Sequence, residues 1–380
     1  MAPTTTQQLL LSPAELSYIH SSLSLDPPIR PDLRTPTQFR PLIAESDILP
    51  TTNGSARICF ADGTEAIVGV KAEVEKSAWK PSTEHGVHLG PGGGDEGDDE
   101  QQDDEGGAGG AEGKRKKQGV GENSWIEISV EIPGYRDDDT MPIFLSAMLI
   151  EAVLASGDLK DRLWLNNRFH WKLYIDILLL SAPSSYPLPL LSLTTHLALL
   201  STRLPRLISD ADENPLFDDD WHASTYLYPR SDATSGPQQQ RDRPAITLLV
   251  MSVGENIVFD PSREELAVAE CVVAISVGEA AAEAGDVEKR LRLLAIRTID
   301  PPSRLTPPGV PDAMNSATGG EAPTGSREAL ALREGVEQRG VWRPPRGGVR
   351  RGVLGRMIKM AVERGGVGEE VLEALERVES

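Results

Sequence analysis

The sequence predicts an α+β fold with two related βα halves, in which helices pack on mixed sheets. Three observations lead there. Apolar segments with period-two alternation are interleaved with helical segments between residues 12 and 210. A second series of strands, AITLLVMSV, NIVFD, AVAECVVAISVG and RLRLLAIRTID, repeats the theme. Two helical segments, RGVLGRMIKMAVERG and EEVLEALERV, then close the chain.

The elements follow in order. Ser12-Pro13-Ala14-Glu15 has the spacing of a capping box with proline at the first helical position, so a helix starts there with Leu16, Ile19 and Leu23 on one face. It leads into an extended, Pro-rich stretch, IRPDLRTPTQFRP. SARICFADGTEAIVGVKAEV reads as a hairpin turning at Asp62-Gly63, because that dipeptide suits a tight turn between β-branched runs. In WIEISVEI, alternation places Ile126, Ile128, Val130 and Ile132 on one face of a third strand. Thr140 is positioned to cap a helix buried through Phe144, Leu145, Met148, Leu149 and Leu154 and stopped by Gly157. HWKLYIDILLLS is another strand, and PLLSLTTHLALLSTRL a helix ending before Pro205.

Composition sets the breaks between these elements. Gly 35 and Pro 29 are too many to lie inside packed helices and strands. Residues 93–117 hold nine acids and four bases in a Gly-rich background with nothing to bury, so 84–122 reads as a disordered insertion. Its Lys114-Arg115-Lys116-Lys117 cluster reads equally as a nuclear import signal or as charge balance. Low complexity from about Asp300 to Arg346 reads as a second linker or insertion. From Arg339 to Lys359 there are seven basic residues and no acid, with Trp342 among them: an RNA or partner patch, or a solvated connector. The expected organisation is a helical lead over 1–27, a domain over 28–300 interrupted by 84–122, a linker over 301–347, and closing helices of the domain over 348–380.

Net charge is −20, and it remains −15 without residues 93–117, where 34 bases face 49 acids. That excludes nonspecific coating of nucleic acid, so any RNA contact must be local. Cys59 and Cys271 each lie in an apolar run with no metal-ligand spacing around them, which favours buried free thiols over a disulfide or zinc site. No basic n-region opens the chain and no apolar run reaches membrane-spanning length, so the expectation is a soluble intracellular protein.

IRPDLRTPTQFRP, LPTTNGSARICFADGTEAIVGVKAEV, PGYRDDD, WKLYIDILLL, LSTRLPRLISD and FDPSREE occur in the order seen in RNase PH-like proteins. With these motifs the chain resembles the RNase PH-like ring subunits of the eukaryotic RNA exosome over roughly residues 10–83, 124–300 and, weakly, 348–380. The resemblance implies an RNase PH-like (ribosomal protein S5 domain 2-like) fold. The implied partners are other RNase PH-like ring subunits, S1/KH-type cap subunits with associated ribonucleases, and single-stranded RNA. It also implies work in the nucleus, nucleolus and cytoplasm, with no membrane partner and no cofactor.

Catalytic relatives in that family carry a Gly-Thr-Arg-like turn for inorganic phosphate after the strand equivalent to Leu173–Leu180. Here the turn runs from Ser181 to Pro189 without glycine or arginine, and its three prolines remove N–H donors. Asp260 stands where those relatives place a carboxylate, which a general-acid role would need, but a turn or cap role before Ser262 and Glu264 accounts for it. His170 and His196 read as packing groups. No catalytic residue and no metal ligand is therefore assigned. The alternative is an active phosphate-dependent 3′–5′ exoribonuclease.

What remains is scaffolding the ring and guiding RNA. The resemblance turns the loop after WIEISVEI and the start of WKLYIDILLL toward the ring's central channel, making Arg136 and Arg168 the expected phosphate contacts, with Lys172 behind them. The competing reading pairs Arg136 with Asp137 to Asp139 and leaves Arg168 merely exposed. Arg34 and Arg40 are expected either to bind phosphate or to join the N-terminal stretch to a neighbouring subunit.

Overall fold

The computed structural model describes residues 11–77, 121–181, 183, 185–209, 214–229, 243–279, 290–305, 342–345 and 347–379. Almost all of the expected insertion at 84–122 and most of the linker at 301–347 lie outside the described residues.

Two sheets carry the fold. The first is five-stranded, in the order β1 (Leu42–Ser46), β2 (Gly54–Phe60), β3 (Glu65–Lys76), β5 (Phe169–Leu179) and β4 (Ile126–Glu131). The second has the order β11 (Leu291–Ile299), β10 (Cys271–Glu279), β8 (Ile246–Val253) and β9 (Asn256–Phe259), and a small ribbon pairs β6 (Arg203–Leu204) with β7 (Thr225–Tyr226). All pairings are antiparallel except β4 with β5, which runs parallel from Ile126 opposite Leu173 to Glu131 opposite Leu178. The first sheet is therefore mixed, as the α+β expectation requires.

Local chemistry accounts for the strands and the first helix. α1 (Pro13–Leu23) has the full capping box between Ser12 and Glu15 and buries Leu16, Ile19 and Leu23. Gly63 turns the β2–β3 hairpin at φ +80, a region open to glycine. β4 alternates buried Ile126, Ile128 and Val130 with exposed Glu127, Ser129 and Glu131, so one face of the sheet meets the core and the other meets solvent.

Three segments depart from the expectation in detail. Asp139 stands at the N-cap position of α2 (Thr140–Leu154) without a side-chain cap bond, accepting instead from the Arg136 N–H, and Thr140 is already the first residue of the helix. Its stripe runs through Leu145, Met148, Leu149, Ala152 and Val153, while Phe144 lies outside that stripe and is 42% exposed. Gly157, at φ +82, separates α2 from the short α3 (Asp158–Arg162). The AVAECVVAISVG segment follows α5 (Arg263–Leu266), a helical turn nucleated by a Ser262–Glu265 capping box, and its first four residues form a turn before β10 begins at Cys271.

α4 (Leu188–Ser201) packs against strands of both sheets and is buried at every one of its 14 residues. Its polar side chains are matched: Thr194 and Thr195 donate to the backbone one turn earlier, and the Ser192 Oγ accepts from the Thr247 N–H at 2.7 Å. The helix lies so close to β2 that a Cβ on Gly54 would come within 2.5 Å of Thr202, which requires glycine there. α6 (Arg351–Val362) and α7 (Val367–Glu379) add Val353, Met357, Ala361, Val371, Leu372 and Leu375 to the same core.

Candidate functional site

At the turn between β5 and α4 the chain brings together residues far apart in sequence. Arg40 donates from Nε and Nη2 to both oxygens of Asp260, at 3.0 and 2.7 Å for the shorter bond to each. Its Nη1 donates to Asp62 Oδ2 at 2.6 Å and to Ser185 Oγ at 2.8 Å, and its backbone N–H donates to Asp260 Oδ2. Arg34 reaches the same carboxylate at 2.9 Å and also holds Asp32 at 2.6 Å. Beneath them Arg30 forms a bidentate pair with Glu265, at 2.7 and 2.8 Å, with both side chains fully buried.

The electrostatics of this cluster are closed. Burial disfavours the Arg40 cation, but the hydrogen bond and charge of Asp260 outweigh it and hold the guanidinium above its ordinary value. Burial likewise pushes the Asp32 carboxyl up, and Arg34 with Arg30 brings it below the usual carboxylate range. Asp260 is completely buried and sits at φ +46, a left-handed backbone that Asp tolerates better than most residues. Ser262 caps α5, so Asp260 is neither cap nor free acid: it is the counter-anion of two arginines. Arg34 and Arg40, with side chains 7% and 9% exposed, are turned into the chain, where Asp260 holds both.

This cluster borders the start of α4. Pro187 is the N-cap without a side-chain cap bond, Pro189 lies in the first turn, and Leu188 and Leu190 beside it are buried. An incoming phosphate here meets few N–H donors, an arginine already held by two aspartates, and the negative charge of those aspartates.

The residues expected to contact RNA are not gathered in one place. Arg136 follows the C-terminal end of β4, where its side chain is 80% exposed and its Nε lies 3.4 Å from Asp138. Arg168 precedes the N-terminal end of the parallel β5 and is exposed. From residue 168 to 178, beside the end of β4, ten strand steps of about 3.3 Å put them roughly 30 Å apart. Lys172 points to the outer face of the sheet but is engaged, donating to the Ser124 carbonyl at 2.8 Å and lying 3.5 Å from Glu127.

His170 stacks on Trp125 with ring centres 4.3 Å apart and hydrogen-bonds Ser77. His196 is completely buried on α4, with Nδ1 against the Pro244 carbonyl and Nε2 without a partner, and burial lowers it to about 3. Among the described residues no His, Cys, Asp and Glu grouping fits a metal ion, and no helix is long and apolar enough to cross a membrane.

No protein-family model matches the chain. Two curated proteins do. The exosome complex component RRP42 of Saccharomyces cerevisiae is 32% identical over 266 residues, covering 68% of this chain and 78% of the relative. The exosome complex component rrp42 of Schizosaccharomyces pombe is 32% identical over 278 residues, covering 70% and 78%. The chain belongs to the RRP42 family of exosome complex components. Among solved structures, an archaeal exosome core is similar at 17% identity and TM-score 0.44, over 84% of this chain and 90% of that one. The Archaeoglobus fulgidus exosome with RNA bound to the active site is similar at 16% identity and TM-score 0.45, over 84% and 92%.

Arg30, Glu265 and Asp62 were missed in the sequence. Their signal was weak: an arginine in an extended Pro-rich stretch carries no hint that its carboxylate lies 235 residues later.

Proposed function

We propose that this chain is a non-catalytic ring subunit of the RNA exosome, scaffolding a ring of RNase PH-like subunits and guiding single-stranded RNA toward 3′–5′ processing and decay. The observation that carries the non-catalytic reading is the state of Arg40, held by Asp260, Asp62 and Ser185 beside a proline-rich helix start, where phosphorolysis needs a cation free to take phosphate.

Partner subunits are supported by apolar side chains left outward. Tyr18, Leu25, Ile29 and Leu33 follow one another along α1 and the stretch after it, with Leu33 85% exposed, and Ile43 is exposed on the edge strand β1. A sheet edge and an apolar surface of this kind are normally covered by another chain. In this reading Arg136 and Arg168 touch two separate points of one RNA path, Lys172 adds positive potential between them, and the cap subunits, associated ribonucleases and nuclear and cytoplasmic locations follow from membership of the complex.

The test is phosphate-dependent release of nucleoside diphosphates from RNA, by the full chain alone and in the reconstituted complex without its other ribonucleases. No release is expected. Release that disappears with Arg40→Ala in a folded protein establishes the exoribonuclease instead.

A further inference from the structure

The turn Arg30-Pro31-Asp32-Leu33-Arg34 holds a large apolar side chain in an unusual posture. Leu33 lies at φ +62 and is 85% exposed, more than any other large hydrophobic side chain among the described residues. Three non-glycine residues among the described ones have positive φ, and the other two are Asp47 and Asp260. Aspartate tolerates the left-handed region, whereas a bulky apolar residue is a genuine outlier there, its Cβ crowding the neighbouring carbonyl. Glycine would relieve the turn, and a polar side chain would suit its exposure. Leucine does neither, so the folding of the turn does not account for it.

What sustains the strain is the buried cluster of Asp260 and Glu265. Arg30 is locked on Glu265 at 2.7 and 2.8 Å, and its Nη1 donates to the Thr35 carbonyl at 3.2 Å on the far side of the turn. Arg34, directly after Leu33, donates to Asp260 at 2.9 Å and to Asp32 at 2.6 Å. The Leu33 N–H donates to the Arg30 carbonyl at 3.1 Å. Both shoulders of the turn are pinned into the interior while the tip stands in solvent. A turn fixed in this way has little backbone freedom left to lose when a partner covers it.

Charge says what the partner offers. From Ser21 to Arg40 all three arginines, Arg30, Arg34 and Arg40, are buried, while Asp26 and Asp32 are exposed. Leu25 and Ile29, 49% and 51% exposed, lie on the same stretch. It therefore shows apolar side chains among negative charges. The complementary surface is an apolar socket edged by lysine or arginine, which another protein can supply and which an anionic lipid surface cannot.

We propose that Leu33 is an anchor side chain, presented on this preformed turn for an apolar socket with a basic rim on another protein subunit of the same complex. The inference rests on the ring-subunit reading and adds which side chain makes the contact. It also gives the arginine cluster a second role, as the frame of a docking turn.

The test is photocrosslinking from p-benzoylphenylalanine placed at position 33 of the full chain in the reconstituted complex. A crosslink to one other subunit is expected, in a segment that carries apolar residues and Lys or Arg. Titration of that subunit with the full chain should show Leu33→Gly weakening binding at least about ten-fold, because the leucine side chain no longer leaves water. Leu33→Met, close in volume, should stay within about three-fold of the parent. The Gly variant removes the left-handed strain, so the free chain should unfold at a temperature no lower than the parent's. A lower unfolding temperature, or unchanged affinity of the Gly variant, overturns the anchor. Affinity that does not fall as salt is raised overturns the basic rim. A crosslink between two copies of this chain overturns the choice of partner, as does binding to phosphatidylcholine–phosphatidylserine vesicles that Leu33→Gly abolishes. A complex that assembles fully without any crosslink from position 33 overturns the inference and leaves the ring-subunit reading standing. A chain that never joins the ring overturns both.

Discussion

The two ends of β9 use the same materials to opposite effect. Beyond its C-terminal end Arg34 and Arg40 close on Asp260 while Arg30 closes on Glu265, and every guanidinium has its counter-charge built into the chain. Before its N-terminal end Arg350 and Arg356 share the exposed Glu255, and Arg343 nearby pairs with no carboxylate among the described residues. Arginine content does not separate the two regions. A basic residue becomes structural when the fold delivers its carboxylate, and available when the fold leaves the anion to be supplied from outside.

The strongest way to break this comparison is Asp260→Asn. Asn tolerates the left-handed backbone but cannot neutralise two buried guanidinium groups, so the stability of the chain should fall by about 3–5 kcal/mol in denaturant unfolding. A loss under about 1 kcal/mol would mean the cluster behaves like a surface ion pair.

His196 sharpens the comparison from inside the core, because it is buried without any charge to support a cation. Its folded value of about 3 lies below the unfolded value of about 6.5, so between these limits the unfolded chain binds the extra proton and stability rises with pH. Replacing His196 with Gln should flatten that rise by up to about 1.4 kcal/mol per pH unit within the window, measured by denaturant unfolding at a series of pH values. An unchanged slope would show that His196 is protonated in the native protein.

At the open end the effect on stability should be small. Arg343→Ala is expected to alter unfolding free energy by no more than about 0.5 kcal/mol, in contrast to Asp260→Asn. A larger loss would place Arg343 with the structural arginines.

The smallest effect concerns the exposed pair. Each of Arg136→Glu and Arg168→Glu should reduce the salt dependence of RNA binding by the assembled complex by about one unit of slope, and both together by up to about two, with assembly intact. If affinity and slope stay constant in a complete ring, the chain acts as scaffold alone.

Much of this molecule could be read residue by residue. The Ser12–Glu15 capping box, the Asp62-Gly63 turn, the alternation of β4 and the stop at Gly157 all stand where the sequence puts them, because each depends on contacts within a few residues. The motifs that mark the family are local strings as well. The tertiary structure alone decided the rest. It seated α4 between two sheets, set β4 parallel beside β5 so that Arg136 and Arg168 fall at opposite ends, and buried Trp342. It also delivered Asp260 to Arg40 across 220 residues of chain. Ion pairs and burial depend on which distant segments share space, and no local pattern encodes that.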